Sequence, residues 1–248
     1  MGQTSGIEWT HATWNPLVGC TKYSDGCKNC YAMPIAERFQ RMGVKGYENG
    51  FNLTLRPERL DKPFYWKKPQ LVFVDSMCDL FHDDVPLEYI ERVFTAMKKA
   101  DWHQYQILTK RSERLRELAP HLDWMPHVWA GVTIESDRYR NRIDDLHTVS
   151  TKNKWLSLEP LLTPIPRLEL KDVAWVIVGG ESGRNARPME LDWVREIHDW
   201  THEQGKAFWF KQNSDYGLRF KEKAPPPMLD GKLYKEFPKF EGGEMGLF

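Results

Sequence analysis

The chain has 248 residues, 41% hydrophobic and 13% aromatic, enough to bury the core of one large α/β domain and to exclude a globally disordered protein. Its 35 Lys plus Arg balance 35 Asp plus Glu, so no long-range field draws it to nucleic acid or to an anionic membrane, and a nucleic-acid partner would need a locally basic lining. With no basic-then-apolar leader and no run of about 20 apolar residues, the expectation is a cytoplasmic chain that does not enter a membrane.

Short β-branched or aromatic runs alternate with amphipathic stretches, the pattern of a parallel sheet with helices outside it. A first strand is expected over Gly6–Thr13, followed by a cysteine-rich loop and a helix carrying Ile35, Ala36 and Phe39. Further strands are expected at Leu71–Val74, Tyr105–Leu108, Val128–Thr133, Trp155–Leu158, Trp175–Val178 and Ala207–Phe210. Pro86 opens a helix over Leu87–Lys99, where Tyr89, Ile90, Val93, Phe94 and Met97 recur at helical spacing; Gly205 closes another over Leu191–Gln204. Ser112–Leu118 and Ser136–Leu146 read as helices with solvated charged faces. Residues 1–215 are therefore expected to form a single-domain α/β fold, a partial (β/α) TIM-type barrel of six or seven parallel strands. Residues 216–248, with Pro225–Pro227 and a Gly-rich end, are expected to form a surface tail.

Three of the 4 cysteines, Cys20, Cys27 and Cys30, crowd one loop, and Cys78 stands apart. Without an export signal, metal or redox chemistry is their expected use. Gly19 and Gly26 allow the loop to bend, and Cys27 and Cys30 lie one turn apart, so the thiolates can converge on one centre. Three thiolates can hold a cubane cluster with one iron open, unlike the four-cysteine ligation of an electron carrier. Two other readings stay open: structural zinc completed by His11 or Cys78, and cysteines that are simply buried.

The segment WNPLVGCTKYSDGCKNCYA, with SMCDLFH, LTKR, LSLEPLL, VIVGGESG and FWFKQ downstream, resembles the radical SAM superfamily. Within it, the chain resembles a family of phage and bacterial radical SAM-like proteins with this three-cysteine motif, from Trp9 to about Gln212. The resemblance implies a 4Fe-4S cluster on Cys20, Cys27 and Cys30, S-adenosylmethionine as cofactor, an electron donor such as a flavodoxin or ferredoxin, and hydrogen abstraction from a substrate. The superfamily's commonest motif is C-x3-C-x2-C with an aromatic before the last cysteine. Here it is C-x6-C-x2-C, with Asn29 before Cys30 and Tyr31 after it. The longer spacer adds only about 0.5 kcal/mol of closure entropy, and the adenine contact passes to Tyr31.

In such barrels the loops after the strands build the active site, and S-adenosylmethionine needs acceptors, a cation and small residues. The candidates are Asp75 and Ser76 for its amino acid end, Thr133 and Glu135 for ribose or carboxylate, Gly179 and Gly180 for adenine, and Lys110 as the cation. Glu159 and Glu181 each follow an apolar run, where an acid is costly unless a ligand or partner meets it. They are the catalytic candidates with Cys78, a hydrogen-atom donor or a packing residue. His82 is expected to cap or pack. Lys110, Arg111, Arg184, Arg187 and Lys211 offer counter-charges to these acids or to substrate phosphates. The expected substrate is a nucleobase, nucleotide or DNA, with a small metabolite as the second choice. A zinc-stabilised nucleic-acid-binding module is the alternative from a different class.

Overall fold

The apolar runs fold into β1 (Ala12–Trp14), β2 (Leu71–Val74), β3 (Gln104–Thr109), β4 (Val128–Thr133), β5 (Lys154–Leu158), β6 (Val173–Gly179) and β7 (Ala207–Gln212), side by side in chain order in one sheet. All neighbouring pairs are parallel. The computed structural model describes residues 5–183, 185–214, 225–240 and 243–244. In it the sheet forms a half-barrel, with helices α1 (Ala32–Arg41), α2 (Leu87–Lys99), α3 (Ser112–Leu118), α4 (Arg142–His147) and α5 (Leu191–Glu203) in the crossovers. Among the described residues no helix is long and apolar enough to cross a membrane.

Side chains alternate across each strand, and the two faces carry different cores. Val72, Val74, Tyr105, Ile107, Val176, Phe208 and Phe210 join the helices in the larger cluster, whereas Leu71, Phe73, Trp129, Trp155, Trp175, Ile177 and Trp209 form a second, aromatic one. Trp9 joins the second cluster, its ring 4.8 Å from Phe73 and 5.2 Å from Trp155. This plug fills the inner face and confines open space to the strands' C-terminal ends, where the cysteine loop lies. Gly131 makes room for it: a Cβ there would stand 2.4 Å from the Trp155 indole nitrogen, which donates to Ile107 O at 3.1 Å. Gly131→Ala is therefore expected to cost about 1–3 kcal/mol of overpacking, measurable as a shifted urea midpoint.

Two expected elements differ. The first strand is confined to Ala12–Trp14, because Thr10 turns its hydroxyl to Leu71 O and Trp9 enters the plug. The Ser136–Leu146 stretch splits into a 3-10 turn, Asp137–Tyr139, and α4. Its charges are not simply solvated: Asp145 is buried and accepts from Ser112 and Arg116 of α3, both at 2.6 Å. Gly205, at φ 67°, ends α5 as expected.

Of the expected tail, residues 225–240 and the backbone of 243–244 are described. Tyr234 O accepts from Phe210 N at 2.9 Å and Glu236 N donates to Phe208 O at 3.1 Å. This antiparallel segment covers the free edge of β7, as an edge strand requires. Phe237 packs on Trp175 and Trp209, and Lys235 pairs with Glu8, joining the two ends of the described chain beneath the plug.

Candidate active site

A cavity of about 380 Å³ opens at the strands' C-terminal ends, within the range of roughly 300–1,000 Å³ that holds cofactor-sized molecules. Cys20, Cys27 and Cys30 share its lining with Tyr31, Asp75, Ser76, Cys78, Lys110, Thr133, Glu159, Gly180 and Glu181. Most of the residues chosen from the sequence are thus brought together. Glu135 and Gly179 are not among them, and their places give them other work.

Glu135 holds the cysteine loop from beneath. It has no exposed surface, and Oε1 accepts from Ser24 Oγ and, at 3.2 Å, from Gly26 N. Its Oε2 accepts from buried Arg142 at 2.6 Å. Both oxygens are committed within the chain, which takes Glu135 away from the ribose or carboxylate contact expected of it. A Cβ on Gly26 would lie 3.1 Å from the carboxylate. Gly179 backs Glu159, its would-be Cβ 3.4 Å from the carboxyl carbon.

Arg111 grips the other side of the loop. Its guanidinium donates to Cys20 Sγ at 3.6 Å, Thr21 Oγ1 at 2.9 Å and Asp79 Oδ2 at 3.2 Å, and it lies 4.9 Å from the Tyr23 ring. Asp84 N donates to His82 Nδ1, so His82 Nε2 is left to donate to Thr21 Oγ1 at 2.8 Å. Gly19 starts the loop at φ 84°, where a Cβ would strike Asn52 O at 2.3 Å. The six-residue spacer between Cys20 and Cys27 is therefore a braced structure, with Tyr23 also 5.8 Å from Arg142.

Glu181 is closed off as well. Asn29 Nδ2 reaches it at 2.9 Å, Arg187 N at 2.8 Å, and the Arg187 side chain makes bonds of 2.9 and 2.5 Å. Burial raises its pKa, but these bonds outweigh burial and hold the carboxyl below the usual range. Glu159 pairs with Lys211. Of the arginines expected to meet acids or phosphates, Arg111 is taken by Asp79 and Arg187 by Glu181; Arg184 lies outside the described residues. Lys110 has no anionic partner among the described residues.

Asp75 differs from these acids. It ends β2 at φ 62°, a left-handed conformation unusual for a residue with a side chain. It is buried, lines the cavity, and its Oδ2 has no partner among the described residues. Burial pushes its pKa up to about 8. Ser76 is fixed by Asn15 Oδ1 at 3.2 Å, and its carbonyl accepts from the Tyr31 hydroxyl at 2.5 Å. Gly180 admits the chain leaving β7, since a Cβ would meet Ser214 N at 2.3 Å.

The Cys78 thiol lies 3.0 Å from both Leu17 O and Asp75 Oδ1, and burial raises its pKa well above the usual value. His11 Nδ1 accepts from Leu71 N at 3.1 Å, at the start of β1 and thus at the end opposite the cysteines. Neither proposed fourth zinc ligand is therefore free to complete a site with the three thiols. Among the described residues no group of three or more His, Cys, Asp or Glu is drawn together around a single ion. A cubane asks for something different: it offers a separate iron to each thiolate, so its cysteines surround a body rather than share one ion's coordination sphere. Three thiols on one cavity lining, with Cys78 engaged by Leu17 O and Asp75, fit that group, and a buried acceptor without a partner among the described residues fits a ligand that brings an amino group.

The model of the family described as "Protein of unknown function (DUF5131)" matches residues 4–238. No curated protein matches the sequence. A solved structure of a spore photoproduct lyase mutant with bound AdoMet and dinucleoside spore photoproduct aligns with a TM-score of 0.47 at 11% identity, over 82% of this chain and 64% of that one. The chain thus spans less than two thirds of that protein's solved length.

Proposed function

The chain belongs to the DUF5131 family of proteins of unknown function, and we propose that it is a radical S-adenosylmethionine enzyme, with Cys20, Cys27 and Cys30 as ligands of a 4Fe-4S cluster. One observation carries the reading: three thiols from a doubly braced loop line a cofactor-sized cavity, and the fourth cysteine on that lining is engaged by Leu17 O and Asp75. When bound, the cluster and S-adenosylmethionine would supply reductive cleavage of the sulfonium and a radical able to abstract hydrogen.

The chain's own residues would position and enclose these groups. Asp75 offers its unpartnered oxygen to the cofactor's amino group, and Lys110 offers the free cation its carboxylate needs. Tyr31, tied to Ser76 O, walls the mouth beside Cys30. Glu181 is a bolt between Asn29 of the cysteine loop and Arg187, so it fixes the loop's last turn instead of moving protons. Burial raises the Cys20 thiol to about 11, with Asp79 adding to the rise and Arg111 opposing it. A metal's positive charge reverses that penalty and draws the ligand as thiolate.

Anaerobic protein reconstituted with iron and sulfide, then given S-adenosylmethionine and dithionite, is expected to release 5'-deoxyadenosine and methionine in equal amounts. Colourless protein with one tightly held zinc and no cleavage would refute the reading and leave the zinc-stabilised binding module in its place.

A further inference from the structure

The cavity reaches past the cysteine rim to a deeper wall that the cluster and the cofactor's amino acid end leave unassigned. Trp9, Phe73 and Leu108 supply its apolar surface, and Thr133 and Ser157 place two hydroxyls side by side, since these residues are paired in the register of β4 and β5. The indole N–H of Trp9 and the hydroxyl of Thr133 are both buried without a partner among the described residues, and Trp9 and Thr133 are 3% and 1% exposed. Buried donors and acceptors left unmet are costly, and a site that holds them favours a ligand able to meet them.

The charges limit what that ligand can be. Glu159 is neutralised by Lys211, Glu181 by Arg187 and Asp79 by Arg111, while Asp75 is taken up by the cofactor's amino group. Lys110 alone cannot form the multidentate cradle that a phosphate ester needs. What fits is a neutral group, apolar on its faces and carrying both N–H and C=O on its edge.

We propose that this wall takes a nucleobase-class heterocycle as substrate of the radical chemistry described above, on which the substrate role but not the binding rests, and that any attached phosphate stays outside the cavity. The ring could arrive as a nucleoside or within a single strand.

Equilibrium dialysis of the full-length, anaerobically purified protein, saturated with S-adenosylhomocysteine to fill the cofactor's own adenine site, separates the outcomes. The probes are the four deoxynucleosides, ribose 5-phosphate, a short single-stranded oligonucleotide and its abasic counterpart. At least one nucleoside is expected to bind and ribose 5-phosphate not to. Thr133→Val and Ser157→Ala should each weaken binding by up to about tenfold, the loss of one neutral hydrogen bond. A base-containing oligonucleotide that binds more tightly than any nucleoside, with the abasic strand inert, assigns the source to the polymer; equal affinity assigns it to the free nucleoside. Equal binding of ribose 5-phosphate, affinity unchanged in both variants, or nucleosides that bind only when S-adenosylhomocysteine is omitted would overturn the proposal. Absent nucleoside binding with intact S-adenosylmethionine cleavage defeats the substrate class and spares the proposed function; binding without cleavage does the reverse.

Discussion

Cys27→Ala is expected to leave anaerobic purification colourless, with iron and S-adenosylmethionine cleavage at the level of a protein-free control, while Cys78→Ala stays brown and keeps its iron. A cubane held by three thiolates has no spare protein ligand, so removing one opens a second iron to solvent. Cys27 ends the 3-10 turn Asp25–Cys27 beneath Ser24, its amide bonded to Ser24 O at 2.9 Å, and no other described thiol is free to replace it. Cys78 is occupied by Leu17 O and Asp75. Its loss should cost packing and perturb Asp75 but spare the cluster. Iron and sulfide analysis with visible absorbance checks both halves. A Cys78→Ala protein without iron would mean that the fourth cysteine closes the coordination sphere, and the proposed chemistry would lose its open site.

The barrel was legible in the sequence because strand burial leaves a simple trace. Leu71–Val74 and Val128–Thr133 are apolar on both faces and have the expected bounds in the structure. Helix α2 matches as well, since one apolar stripe fixes it, and α3 has the expected bounds. The site was legible as a set but less so in its parts. Position just past a strand marks a residue as near the cavity, yet which way its side chain turns depends on the next loop. Thr133 and Glu135 illustrate this: Thr133 lines the cavity, whereas Glu135 points beneath the cysteine loop to meet Arg142.

The pairs Glu181–Arg187 and Asp79–Arg111 read in the sequence as charges open to an acid or to a phosphate, because nothing local shows which partner the fold brings to each cation. Trp9 and Ser157 carry no such signal. One lies in the expected first strand and the other in the apolar run WLSL, and neither stands just past a strand, where the sequence marks a residue as near the cavity.

The Glu135–Arg142 pair carries the other large expected effect. Arg142→Met removes the counter-charge from a carboxylate with no exposed surface, and an uncompensated buried charge costs about 3–5 kcal/mol. In a chain of this size each kcal/mol lowers the melting temperature by about 2–4 °C. Adding Glu135→Leu deletes the stranded charge, and a buried pair replaced by apolar residues of similar volume is often neutral, so the double variant should recover most of the loss in a denaturant titration. Recovery of iron should not follow. Ser24 Oγ and Gly26 N lose their acceptor in the double variant, and weakening such outer support of a metal site commonly costs 10–100-fold in affinity. Stability restored with iron binding still impaired identifies Glu135 as the latch of the cysteine loop, whereas recovery of both would reduce the pair to an ordinary buried salt bridge.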